Sequence, residues 1–142
     1  MSIRVVVDTN VLVGAMLSAG GGNNREVLRR SLKGMAQPLI GAALFHEYEE
    51  LLERPDLLDD GPLSEKERKS LVAAFLSVSE WIKIYYLWRP NLPDEADNHL
   101  IELALAGDAR AIISNNIRDL HHGELQFPNL HILTPTEFLK TF

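Results

Sequence analysis

The chain has 142 residues, 46% hydrophobic and 24% charged, which suits an ordinary globular protein and leads us to expect one domain over residues 1–142. No apolar stretch is long enough to span a membrane, and the absence of cysteine excludes disulfides and thiolate metal sites. With a formal net charge of −6 the chain cannot rely on a broad basic surface for nucleic acid, so a polyanionic substrate would need metal ions or a small basic patch to neutralise it locally.

Met1-Ser2 leads straight into a β-branched run, so no secretory signal is expected, and a thiol-free chain fits the cytoplasm. Ile3 to Val7 reads as a buried strand that ends on Asp8-Thr9-Asn10 and opens a helix to about Ser18. Ala19 to Asn24 is a loop. Its glycine triplet lacks a preceding strand and a Gly-Lys-Ser/Thr ending, so it is no phosphate cradle; we expect a mobile loop near the site. Arg25 to Lys33 is a second helix, with Arg25, Arg29 and Lys33 on one solvated face. Pro38 to Ile40 is a short strand, and Ala43 to Glu53 an amphipathic helix stopped at Arg54-Pro55.

Leu57 to Pro62 reads as a polar connection, and Ser64 to Glu67 as a capping box that opens a helix to about Ser79. A strand is expected at Ile82 to Tyr86, broken by Pro90 to Pro93. The next helix starts near Asp94 and ends near Gly107, read as its C′ glycine. Ala111 to Ile113 and His131 to Leu133 are strands, and Thr134 to Glu137 opens the last helix with a capping box and Pro135 at its first position. Strands separated by helices imply a parallel sheet covered on both faces, hence a three-layer α/β/α architecture.

Three acids fall where packing does not want them. Asp8 follows a buried strand, at the sheet edge where open α/β proteins bind ligands. Glu47 lies three residues after Leu44 and four before Leu51, on the apolar side of its helix, unless it reaches solvent from the edge of the stripe. Asp97 continues the stripe of Leu100, Ile101, Ala104 and Leu105 toward the same edge; otherwise, with Asp94 as N-cap, it is a first-turn acid favoured by the helix dipole. A buried carboxylate is costly unless paired, hydrogen-bonded or bound to metal, so three acids aimed at one edge suggest a shared cation. All-oxygen donors favour Mg²⁺ or Mn²⁺. Ser114-Asn115-Asn116-Ile117-Arg118-Asp119, after the Ala111 to Ile113 strand, is either a turn or the source of a fourth ligand. None of the five histidines forms a ligand-like pair with an acid in the sequence, and His121-His122 reads as surface.

Asp8-Thr9-Asn10-Val11-Leu12, then Leu44 to Pro55 around Glu47, then Asp97 to Ala104, resemble the PIN domain over nearly the whole chain and in order. Within it the resemblance is to VapC-like toxin components of toxin–antitoxin pairs. It implies a Rossmann-like fold with a central parallel sheet and a Mg²⁺- or Mn²⁺-dependent endoribonuclease that leaves a 5′-phosphate. Its partners would be an RNA substrate and a small antitoxin, and the protein would be a cytoplasmic homodimer. Carried over by position, Asp8, Glu47 and Asp97 are metal ligands, with Asn10 and Ser114 in support. Where the family often has Ser/Thr-x-Asp this chain has Ser114-Asn115-Asn116, so Asn116 takes the carboxylate position, and Asp119 is its candidate substitute in catalysis and metal binding. An amide oxygen still coordinates a hard cation, but without negative charge.

Two other functions fit parts of the pattern. A catalytically weak PIN-like module that binds RNA or a partner would suit Asn116 and the acidic net charge. A metal-dependent phosphatase of the haloacid dehalogenase type wants a second Asp two residues after the first, and that position is Asn10. Trp81, Tyr85, Tyr86 and Trp88 are candidates for the apolar surface an antitoxin would cover, or for core and dimer contacts.

Overall fold

A computed structural model describes residues 2–18, 22–84, 98–116 and 129–142, with the side chain of Asn98 excepted. Within them lie five strands, β1 (Ile3–Val7), β2 (Ala36–Ile40), β3 (Glu80–Trp81), β4 (Ala111–Ile113) and β5 (His131–Leu133). The helices are α1 (Thr9–Leu17), α2 (Asn23–Leu32), α3 (Ala42–Leu52), α4 (Pro55–Leu58), α5 (Glu65–Ser77), α6 (Asn98–Ala106) and α7 (Pro135–Thr141).

All strand pairs are parallel, in the order β3-β2-β1-β4-β5. The register sets Ile3 against Ala36, and Val7 against Ile113. Val5, Val6, Val7, Ala111, Ile112 and Ile113 are fully buried, as central strands of a parallel sheet must be when helices cover both faces. Helices α1, α2, α3, α5 and α7 pack among themselves on one face, while α6 lies against β1, β2 and β4. Right-handed crossovers explain the division, because the chain moves outward from β1 to β3 and then returns to place β4 on the other side of β1. The reversal between β1 and β4 is the switch point at which such sheets bind ligands. The architecture is the three-layer α/β/α fold expected from the sequence.

Local differences have local causes. The strand expected at Ile82 to Tyr86 pairs earlier, at Glu80–Trp81, and Ile82 adds one further bond to the Ile40 carbonyl at 2.8 Å. Tyr85, Tyr86 and Trp88 lie outside the described residues, as does Asp94. Part of the polar connection coils into α4, with Pro55 in its first turn. Both expected capping boxes form, at Ser64/Glu67 and at Thr134/Glu137. Helix α6 ends in a Schellman pattern, with Ala109 N–H donating to Ala104 O at 2.8 Å and Asp108 N–H to Leu105 O at 3.4 Å. The left-handed residue there is Asp108, at φ 55°, not Gly107. Gly107 is required for closeness instead, since a Cβ on it would stand 2.5 Å from Leu39 Cδ1.

The expected solvated face of α2 is solvated only in part. Arg25 reaches back to the Ala15 and Ser18 carbonyls at 3.0 and 2.9 Å and ties down the end of α1, and Arg29 pairs with Glu26 at 2.6 Å. Gly20 and Gly21, in the expected mobile loop, lie outside the described residues.

Candidate active site

Strand β1 delivers Asp8 to the switch point. Its amide donates to the Ile113 carbonyl at 2.9 Å, so the β1–β4 ladder itself fixes its backbone. Asp8 occupies the N-cap position of α1, but its Oδ2 is turned toward β4, where it accepts from Ser114 Oγ at 2.7 Å and from Asn10 Nδ2 at 3.3 Å. Asn10 Nδ2 also lies 3.2 Å from Ser114 Oγ, and Ser114 is fully buried. The Asn116 amide donates to Ser114 Oγ at 3.0 Å, and the Asn115 amide to Asn10 Oδ1 at 3.0 Å. Asn115 Nδ2 donates to Asn24 Oδ1 at 2.9 Å, and Gly14 makes the room: a Cβ there would stand 2.3 Å from Asn24 Nδ2. The structure thus brings Asp8, Asn10, Ser114 and Asn116 into one hydrogen-bonded cluster.

Glu47 arrives from α3. Leu44, Tyr48 and Leu51 are buried on that helix, and Glu47 is half-buried beside them, while His46, Glu49 and Glu50 face solvent. Tyr48 anchors the helix, because its buried hydroxyl donates to the carbonyl of Val7, the residue before Asp8. Glu47 Oε1 accepts from Thr9 Oγ1 at 2.7 Å, and Oε2 lies 2.8 Å from His99 Nε2 on the first turn of α6. His99 therefore does pair with an acid, contrary to the sequence expectation, because tertiary packing brings positions 47 and 99 together. Thr9, Tyr48 and His99 were all missed as site residues. His99 lies four residues before buried Leu103, a spacing that was available, but nothing in it named a partner.

The two carboxyl groups differ in character. Burial pushes the Asp8 carboxyl above its ordinary value; hydrogen bonds from Ser114 and the Thr9 amide pull it back, and repulsion from Glu47 adds to the rise. Burial also works on Glu47, but hydrogen bonds from His99 and Thr9 outweigh it and hold that carboxyl below its ordinary value. The surroundings thus favour the charged form of Glu47, while burial and the charge of Glu47 disfavour that of Asp8.

Asp97 and Asp119 lie outside the described residues, as do His121 and His122. Among the described residues no group of three or more His, Asp or Glu side chains is placed to share a metal ion. A groove of about 530 Å³ runs beside the site, lined by Gly41, Leu44, Trp81, His99 and Leu103 among others. Trp81 is 54% exposed on its rim and meets Phe45 edge to face at 6.0 Å.

Residues 4–118 match the family described as PIN domain. The chain belongs to the PIN-domain family. No curated protein matches its sequence. This PIN domain is similar to a chain in the crystal structure of VapBC2 from Rickettsia felis bound to a DNA fragment from their promoter, with a TM-score of 0.62. The two are 17% identical, over 93% of this chain and 98% of that one. At that identity the likeness speaks for the PIN fold alone.

Proposed function

We propose that this PIN domain is a divalent-metal-dependent endoribonuclease, the toxin of a toxin–antitoxin pair. The observation that carries the reading is Asp8 and Glu47 together at the switch point, close enough for their charges to repel, each carboxylate held in place by donors from other elements. PIN domains are as a family nucleases, which agrees with that placement. The donor set fits a hard divalent cation: carboxylate oxygens at a partly buried edge whose mutual repulsion a cation would relieve. Asp8 and Glu47 would hold it with Asp97, which precedes His99 by two residues in the sequence. Asn116 or Asp119 would serve a second ion or its water.

Bound there, a divalent ion supplies charge neutralisation at a phosphate and a lowered pKa for water, and all-oxygen ligands favour Mg²⁺ or Mn²⁺. The chain's own residues do the positioning. Ser114 and Asn10 hold Asp8 Oδ2 and so fix the orientation of the carboxylate. The groove past His99 and Trp81 gives an RNA strand a path with an exposed aromatic beside it. The net charge of −6 makes local neutralisation at the site a requirement for binding any polyanion.

The VapBC2 complex motivates an antitoxin partner for this chain too. A second groove, of about 600 Å³ between α2 and α5, supports it with a lining of Leu28, Leu63 and Leu71 beside Arg29, Lys66 and Glu67. Homodimerisation and a cytoplasmic location belong to the same proposal. Among the described residues no helix is long and apolar enough to cross a membrane.

The test is cleavage of a mixed RNA pool by the purified protein, with chelator and with added Mg²⁺ or Mn²⁺. We expect cutting only with metal, and a loss of more than about 100-fold in Asp8→Asn, since even residues that only support metal ligands cost 10–100-fold. An Asp8→Asn protein that cuts as fast as the parent rejects the assignment. Asn116 in place of a carboxylate favours a second reading, a PIN-like binding module: partner or RNA binding without metal dependence, and no cleavage, would establish it.

A further inference from the structure

Glu47 is gripped at both ends of its carboxylate. Thr9 Oγ1 donates to Oε1 at 2.7 Å from the first turn of α1, and His99 Nε2 lies 2.8 Å from Oε2 from the first turn of α6. These three residues come from three helices, 38 and 52 positions apart in the chain. Facing an ionised carboxylate, Nε2 must carry the ring proton, so His99 is the donor. The other ring nitrogen, Nδ1, is buried and has no hydrogen-bond partner among the described residues, so the Glu47 contact is the one polar bond seen to orient the ring. Thr9 adjoins Asp8, so the clamp also fixes the distance between the two acids.

We infer that Thr9 and His99 are positioning residues, a two-donor clamp that presets Glu47 for a divalent cation, with His99 acting through Glu47 and not as a ligand itself. The inference rests on the nuclease reading of the same site. Carboxylates that bind metal are themselves held by hydrogen bonds, and the partners that orient them affect affinity nearly as strongly as the ligands. A clamp made before the ion arrives removes the cost of immobilising a rotatable glutamate side chain from the binding step.

The experiment pairs variants that remove a donor with variants that keep one. Thr9→Val and His99→Leu keep size and lose the donor; Thr9→Ser keeps the hydroxyl, and His99→Gln puts an amide N–H at similar reach. Mn²⁺ affinity is read by electron paramagnetic resonance of the free ion, with far-UV circular dichroism and a cooperative melt to establish that each variant folds. We expect Thr9→Val and His99→Leu each to weaken Mn²⁺ binding about 10–100-fold, and Thr9→Ser and His99→Gln to restore it to within about threefold. Folded donor-removing variants that bind Mn²⁺ like the parent overturn the clamp, while Asp8→Asn still reports on the nuclease reading. Loss of binding in His99→Gln as deep as in His99→Leu also overturns it, in favour of His99 as a direct ligand. Should His99→Leu fail to fold, the Thr9 pair decides. A parent protein that takes up no Mn²⁺ overturns clamp and nuclease reading together.

Discussion

Folding disfavours the ionised form of Asp8. Its carboxyl is raised in the folded protein chiefly by burial, so its contribution to stability is fully present below the unfolded pKa of about 3.9 and is lost as pH rises through the folded value. Glu47 has the opposite sign: its carboxyl is lowered, so it contributes stability above the unfolded value and loses it as pH falls through the folded one. Asp8→Asn should therefore melt higher than the parent near pH 7 in chelator, with the gap closing as pH falls toward about 4. Thermal melts across that range check it, and a parent more stable than Asp8→Asn at neutral pH would contradict it. A substitution that stabilises the fold while abolishing activity is what a site held under charge strain predicts.

Element ends carry the next level of order. Helix α6 closes with a non-glycine residue at φ 55°, a conformation that costs an L-residue roughly 1–2 kcal/mol and Asp somewhat less. Asp108→Gly should thus raise the unfolding free energy by about 0.5–1 kcal/mol, measured by urea denaturation; a destabilised Asp108→Gly would mean that its charge beside Arg4 matters more than its backbone. Arg4 secures that corner from the far end of β1, donating from Nε to the Gly107 carbonyl at 2.9 Å and forking onto Glu80 at 2.9 and 3.1 Å. From α5, the almost wholly buried Arg68 donates to the Leu63 carbonyl at 3.0 Å and to Asp59 at 3.2 Å, which gives the segment around α4 a fixed path.

At the scale of the molecule, the sheet is the rigid base on which the edge is built. Ile112 is fully buried on β4, between β1 and β5, and Ser114 hangs from the end of the same strand. Ile112→Ala should cost about 2–5 kcal/mol of stability through the lost contacts and the cavity left behind, read as a lower urea midpoint with unchanged slope. A cost below about 1 kcal/mol would mean that the layers collapse freely around the gap, against the close packing seen.

Much of the fold was legible in the chain. Val5-Val6-Val7 and Ile112-Ile113 marked β1 and β4, two capping boxes marked the starts of α5 and α7, and alternation of strand and helix dictated a parallel sheet. Those signals are local, or follow from covering both faces of the sheet. Asp8 and Glu47 stood out as acids in apolar surroundings, a feature that periodicity exposes. The pairing of Glu47 with Thr9 and His99, the seat of Tyr48 on the Val7 carbonyl, and the transfer of the left-handed turn from Gly107 to Asp108 were decided only in the tertiary structure. Contacts between residues dozens of positions apart depend on how helices from different crossovers dock, and no period in one chain encodes that distance.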